Sequence, residues 1–406
     1  MKFVVAHTGA RRGYAVPAII EQAGLLECFF TDFCADKGLG RLVSSLSGLR
    51  KFSPGIAKIA ARRLPKNIVA KTRTFDWPNF KHLFLRKGAG WGDDYRAYLY
   101  WQRDLSEAMV RHGFGDANWF HAFLDEFPPL ISAAKRNGLG VISEIYILLS
   151  SDRLMREERK RFPGWEEEPP DFDRIYKEVF GDSVLFASGD YLLCPSEAVL
   201  NDAVENFQFR RDRCFLVPYG VSGTWFGVNN HPARGRILFA GTAELRKGIH
   251  YLAMAAEMLL ARGLNYEFRI AGNVQPSIAN QNECRHLTFL GRVPRDKIAA
   301  EFAAADVFVL PSLAEGSAGA TYEALGAGVP VITTPAAGSI VRNEIEGRIV
   351  RERDPYALAD AITELVENRD KRDRMAQAAR VRAQDFTWEK YGERLIAALR
   401  KLPVST

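Results

Sequence analysis

The sequence predicts an α/β protein built from two Rossmann-like domains that face a cleft. Three observations lead there. At 406 residues the chain exceeds what one ordinary core supports and suggests two domains of roughly 200 residues each. Short apolar runs, several ending in glycine, alternate with stretches of helical periodicity, the pattern of a parallel sheet covered on both faces. Finally, "KFVVAHTGARRG" and "RILFAGTAELRKG" each run strand, glycine turn, basic pair, glycine, helix, a faint repeat that sets two like halves opposite each other.

Taken in order, the elements fit that plan. The first strand spans about 2–6, and its four-residue apolar run before His7 reads as a buried strand rather than a signal peptide. "ANWFHAF" (117–123), "GVISEIY" (140–146) and "YLLCPS" (191–196) read as further strands, and the charge-rich stretch 151–173 as a helix followed by a loop. "CFLVPYGV" (214–221) looks like a strand and linker at the handover, giving an N-terminal domain over 1–214. The second domain, 215–385, carries strands at "RILFAG" (236–241), "YEFRIAGN" (266–273), "LTFLG" (287–291), "VFVLP" (307–311) and "PVITT" (330–334), with helical stretches between them. The tail from 354 has apolar residues at helical spacing, and its last helix, within 386–406, is expected to cross back to the first domain.

Composition excludes several classes. An apolar fraction of 47% and a charged fraction of 26% suit a soluble enzyme-sized protein, and no run approaches the roughly 18 apolar residues of a membrane span. Cys28, Cys34, Cys194, Cys214 and Cys284 are scattered and form no C-x-x-C pair, which argues against zinc or a disulfide framework and for a reducing cytoplasm. The net charge is +6, yet between Asp36 and Asp76 every charged residue is basic: Lys37, Arg41, Arg50, Lys51, Lys58, Arg62, Arg63, Lys66, Lys71 and Arg73. Interleaved with apolar residues, the stretch 37–73 suits either peripheral contact with the anionic inner face of a membrane, at about 1 kcal/mol per basic residue, or a solvated helix pair over the core. No nucleic-acid-binding motif accompanies the charge, so nucleic acid is not an expected partner.

The chemistry concentrates in "EGSAGATYEALGAGVPVI" (315–332). Glu315 closes the loop after a strand. Gly316 and Gly319, lacking side chains, let the backbone N–H groups approach a ligand, and a helix starting near Ala320 turns its unpaired N–H groups and positive dipole end toward the same place. This is an anion site suited to phosphate. Glu323, about a turn further on, is placed to accept two ribose hydroxyls. "GTAELRKG" sets Arg246 and Lys247 at the start of a helix, where cations oppose the dipole unless an anion is bound. "FLGRVP" supplies a turn, with Arg292 and Val293, whose backbone is suited to reading a base edge.

The series "VPYGV", "FAGTAELRKG", "IAG", "FLGRVP", "VFVLPSLAEGSAGATYEALGAGVPVI" and "DFTWEKY" resembles a family 4 glycosyltransferase of the GT-B fold, strongly over about 190–395. Before that it rests on the strand–glycine opening and "LLCPSEAV". The resemblance implies sugar transfer from a nucleotide-diphosphate sugar to a glycan, lipid-linked or small-molecule acceptor, with retention at the anomeric carbon and no obligatory metal or cofactor. Carried over residue by residue, Glu315 would orient the donor sugar and Glu323 would hold the ribose. Lys247, aided by the N–H groups of Ala318 and Gly319, would stabilise the departing diphosphate, and Gly241, Gly316 and Ser317 would line the donor. Arg292 and Val293 would frame the base, and the loop from Gly9 and Ala10 to Gly13 would close over the diphosphate.

Three departures stand out. Where the family usually has an arginine after the glycine of "FAG", this chain has Thr242, and Arg246 is the candidate replacement. Glu315-Gly316 is followed by Ser317-Ala318 rather than Phe-Gly. In place of the family's histidine after the fourth or fifth strand, either His121 in "WFHAF" or Glu144 in "VISEIY" is the polar group expected in the site. The alternatives to a transferase are a GT-B nucleotide-sugar epimerase and a non-catalytic nucleotide-sugar-binding scaffold.

Overall fold

Runs of three to six residues form the strands, the central ones nearly all buried. In a computed structural model, residues 1–45, 57, 59–85, 91–124, 126–181 and 189–403 are described. The first sheet contains β1 (Phe3–Ala6), β2 (Leu26–Thr31), β3 (Thr72–Thr74), β4 (Trp119–Phe123), β5 (Gly140–Glu144), β6 (Tyr191–Cys194) and β7 (Cys214–Leu216), in the order β3-β2-β1-β4-β5-β6-β7. The second contains β8 (Arg236–Ala240), β9 (Glu267–Ala271), β10 (Leu287–Gly291), β11 (Val307–Leu310), β12 (Val331–Thr333) and β13 (Gly347–Ile349), in the order β10-β9-β8-β11-β12-β13. The paired strands are parallel, β1 with β2 and β4, and β8 with β9 and β11. The expected α/β class is therefore observed, while β2, β3 and β13 are strands the sequence pattern had not marked.

The chain falls into two compact units. One comprises Met1–Glu144, Pro169–Leu193 and Leu395–Thr406; the other comprises Ile145–Glu168 and Cys194–Arg394. Two stretches expected in the first half, 145–168 and 194–214, thus group with the second unit. The helix Trp388–Leu399 begins among residues of the second unit and ends among those of the first.

In the second unit, β8 and β11 are buried along nearly their whole length and meet Leu252, Ala256 and Leu259 of the helix Ile249–Ala261 in one core. Tyr322, Ala324 and Leu325 of the helix Gly319–Gly326 join it, as an all-parallel sheet covered on both faces requires. The motifs "VPYGV" and "DFTWEKY" pair with each other: Val221 N donates to Phe386 O at 2.8 Å, and Arg394 lies over the Phe386 ring while donating to Pro218 O and Tyr219 O. In the first unit, Val4, Ala6, Phe30, Phe120 and Val141 are buried together.

Five residues of the described part of the basic stretch are tied into the fold. Arg62 pairs with Asp32, Arg63 with Asp36 and Lys71 with Glu21, while Lys37 donates to Thr72 O and Arg73 to Ala70 O. These pairings favour the reading as folded surface; Arg50, Lys51 and Lys58 lie outside the described residues. Among those described, no helix is long and apolar enough to cross a membrane. The five cysteines are buried and free.

Candidate functional site

In the second sheet the chain runs outward from β8 to β9 and β10, then returns to lay β11 on the other side of β8. Ligands in open α/β sheets bind at such a reversal, beyond the carboxyl ends of the strands. The turn after β8 carries Gly241 to Gly248, and the loop after β11 carries Ser312 to Ala318, so the two candidate segments are neighbours by topology.

Side chains join them. Lys247 Nζ makes an ion pair and hydrogen bond with Glu315 Oε1. Arg246 Nη1 lies 3.0 Å from the same oxygen and donates to Ala314 O at 2.9 Å, with its other amino group on Glu244. The backbone is fastened as well, Leu313 N donating to Arg246 O at 2.8 Å. Two glycines make the approach feasible. Gly248 has φ +72° and a Cβ there would fall 2.0 Å from Pro311 O; one at Gly241 would press on Lys247 Cδ at 3.3 Å. The arginine expected after Gly241 is absent, Thr242 being exposed, and the Arg246 guanidinium occupies the position beside Glu315.

Two helices begin here without a side-chain cap. Gly248 precedes Ile249–Ala261 and Ala318 precedes Gly319–Gly326, and neither offers a side-chain acceptor to the first N–H groups. In the same unit Ser196, Asp354 and Asn368 cap the helices they precede, while the helices Ser151–Arg161, Pro276–Ala279 and Ile298–Ala304 also start without a side-chain cap. Uncapped first turns leave N–H donors and the positive dipole end for an anion. Glu323 sits on the helix Gly319–Gly326 and is half-buried. Burial pushes its carboxyl up from 4.5 to about 7, with Arg295 pulling it down only in part.

Some expected roles are corrected. The Ala318 N–H is bonded to Ala337 O at 3.0 Å, so it is not one of the anion donors; those of Gly319 and Ala320, first in the helix, remain. The Ser317 hydroxyl is held by Tyr322 OH and Gly338 O, both at 2.8 Å, and shapes the loop rather than lining a ligand. Gly316 is required for a different reason than ligand approach: its Cβ would fall 2.0 Å from Tyr146 O. Arg292 is exposed and Val293 half-buried, just beyond the end of β10 at the edge of the sheet.

In the first unit the reversal falls between β1 and β4. Arg12, Gly13 and Tyr14 follow β1 with φ of +47°, +63° and +64°. Two non-glycine residues in the left-handed region within three positions is a strain that ordinary loops avoid. The conformation sends Arg12 onto Glu144 and Arg11 onto Glu126. His121 Nε2 is 3.8 Å from Glu144 Oε2, and both side chains are buried. The two alternatives for the polar group are therefore neighbours. Burial pushes the His121 imidazole down, with Glu144 pulling against it, and neither ring nitrogen has a hydrogen-bond partner among the described residues. The Gly9 N–H is engaged by Asp32 at 2.8 Å and is not open to a diphosphate, whereas Ala10 is exposed.

Sequence reasoning missed a cluster in the second unit. Glu158, on the helix Ser151–Arg161, is buried and accepts from His250 Nε2 at 2.9 Å, Tyr251 OH at 2.6 Å and Arg353 Nε at 2.7 Å. Burial alone would raise its carboxyl; these hydrogen bonds overcome that and hold it down at about 2. Glu166 accepts from Leu245 N at 2.7 Å and from Arg159 Nε at 3.1 Å.

Two parallel sheets with this strand order define a protein of the GT-B fold, and structures of that class match across the whole chain. They include HepE of Anabaena in complex with UDP, 15% identical with a TM-score of 0.58 over 99% of this chain and 100% of that one. Another is sucrose-phosphate synthase of Thermosynechococcus elongatus, 14% identical with a TM-score of 0.62 over 99% of each chain. Residues 234–368 match the family of glycosyl transferases group 1. A D-inositol 3-phosphate glycosyltransferase of Corynebacterium urealyticum is 27% identical over 262 residues, covering 58% of this chain and 61% of the relative. The match thus spans about three fifths of that relative's length.

Proposed function

We propose that the protein is a retaining glycosyltransferase that takes a sugar from a nucleotide-diphosphate donor held by the second unit. What carries the reading is the meeting of Lys247 and Arg246 on Glu315 beside two uncapped helix starts. A diphosphate arriving there finds the ammonium, the guanidinium and the N–H groups of Gly319 and Ala320. As Lys247 moves onto phosphate, Glu315 is released to accept hydrogen bonds from the sugar hydroxyls. Glu323 holds the ribose, and Arg292 and Val293 flank the base. In the transition state negative charge grows on the leaving diphosphate, where fixed donors contribute most; removing one costs about 2.7 to 4 kcal/mol, or 10²- to 10³-fold in kcat.

UDP bound to HepE and the sugar-transfer name of the Corynebacterium relative support a nucleotide-sugar donor. The acceptor, a glycan, lipid-linked or small molecule of polysaccharide or glycoconjugate synthesis in the cytoplasm, falls to the first unit. There Arg12, His121 and Glu144 form its polar centre. The test is incubation with a panel of nucleotide sugars and candidate acceptors, following released nucleoside diphosphate and the anomeric configuration of the product by NMR. Release with retention is expected, and it should fall at least 100-fold in K247A. Isomerised donor would indicate an epimerase, and thermal protection without release a binding scaffold; either overturns the reading.

A further inference from the structure

The segment 145–168 follows a strand of the first sheet but packs within the second unit, and its contacts gather on one place. Phe162 lies 4.4 Å from the His250 ring and 5.7 Å from that of Tyr251, and Trp165, buried in the core, is 5.7 Å from His250. Glu158 holds His250 and Tyr251 from below. Those two residues form the first turn of the helix that starts immediately after Lys247 and Gly248. Gln281 Nε2 donates to Gly164 O at 3.1 Å, fixing the bend before Trp165.

From this anchored bend Glu166 reaches the turn itself. One carboxylate oxygen takes the Leu245 N–H at 2.7 Å, and the other is held by Arg159 at 3.1 Å. Leu245 is buried and directly precedes Arg246 and Lys247 in the turn Leu245–Lys247. Its amide has no helical or sheet partner to bond. A carboxylate from elsewhere in the chain therefore sets the height and tilt of the turn that delivers both cations to Glu315.

We propose that Glu166 is a positioning residue for Lys247 and Arg246: it fixes the backbone from which they reach the donor diphosphate. The proposal rests on the donor site described above, but the geometry it asserts can be read without turnover. A displacement of about 1 Å in a group that stabilises a transition state costs far more in rate than in ground-state binding. Glu166→Ala should thus lower kcat about tenfold or more with the donor KM within about twofold. Glu166→Gln, which retains an oxygen for the Leu245 N–H, should recover most of the rate.

The companion measurement is hydrogen exchange at the Leu245 amide. It should quicken at least tenfold in Glu166→Ala and stay near the parent rate in Glu166→Gln, with protection of the core strand β11 unchanged. Where Glu166→Ala fails to fold, Glu166→Asp, whose shorter side chain withdraws the acceptor, carries both measurements. The proposal is overturned if Leu245 exchange is unaltered, if it quickens only together with β11, or if it quickens while kcat holds. A parent protein without transferase activity would overturn the function proposed above, and the exchange data would still decide the role of Glu166.

Discussion

Replacing Glu323 by glutamine should make the free protein more stable while making it a poorer binder. The carboxyl titrates at about 7 instead of 4.5 because burial penalises its charge, with Arg295 offsetting only part. The folded state therefore prefers the protonated form. Stability from this group is complete below about 4.5 and is lost as the pH rises through 7. At about 1.4 kcal/mol per pKa unit the loss at pH 8 is at most about 3 kcal/mol, and about half that with solvent reaching the half-buried group. Glutamine carries no charge at any pH. Urea denaturation should show E323Q more stable than the parent by about 1.5 to 3 kcal/mol at pH 8, with the difference closing toward pH 4.5.

Binding should run the other way. Two ribose hydroxyls donate best to an ionised carboxylate, whose fraction drops from about nine tenths at pH 8 to about one tenth at pH 6 for a group titrating at about 7. Calorimetry with a nucleotide sugar, whose phosphates stay ionised over this range, should give about tenfold weaker affinity at pH 6 than at pH 8 in the parent. E323Q should be weak at both. Equal stability of the two proteins at pH 8, or a parent affinity flat between pH 6 and 8, would refute this account of Glu323.

The two loop glycines separate packing from ligand approach. G316A puts a Cβ 2.0 Å from Tyr146 O and should lose more than about 2 kcal/mol in urea denaturation, whereas G319A meets nothing within 4 Å and should change stability by less than about 0.5 kcal/mol while weakening nucleotide-sugar binding. E158A would strand His250, Tyr251 and Arg353 around a buried gap and should cost about 3 to 5 kcal/mol. Because Glu158 is held down at about 2, its contribution is complete above about 4.5 and fades as the pH falls toward 2. The parent should lose stability between pH 5 and 3 more steeply than E158Q, as read by denaturation at each pH.

The parts visible in the sequence were those governed by local rules. β8 and β11 are largely apolar runs and β9 alternates charged with apolar residues, each followed closely by glycine or proline, and parallel-sheet logic then placed Lys247 and Glu315 in adjacent loops. β2 escaped notice because Glu27 interrupts its apolar run and Asp32, not glycine, follows it. β3 and β13 are three residues each, on the outer edges of their sheets, too short for an alternation to register. The same locality explains the missed side chains. Glu158 and Glu166 stand in a stretch whose composition reads as solvated helix, and what buries or engages them, His250, Arg353 and Leu245, lies far along the chain. Arg12 reaches Glu144 only through a left-handed backbone that no residue preference announces. Ala318 carried the opposite error, an N–H group expected for a ligand being engaged by the neighbouring backbone.

Whether one ligand joins these groups is best decided by calorimetric titration of nucleoside diphosphates (uridine, adenosine and guanosine) into the parent, K247A and E323Q at pH 8. The account predicts a single site for one of the three, weakened at least tenfold by each substitution although Lys247 and Glu323 stand on different segments. Binding that is untouched by either replacement, or absent for all three nucleotides, would contradict it.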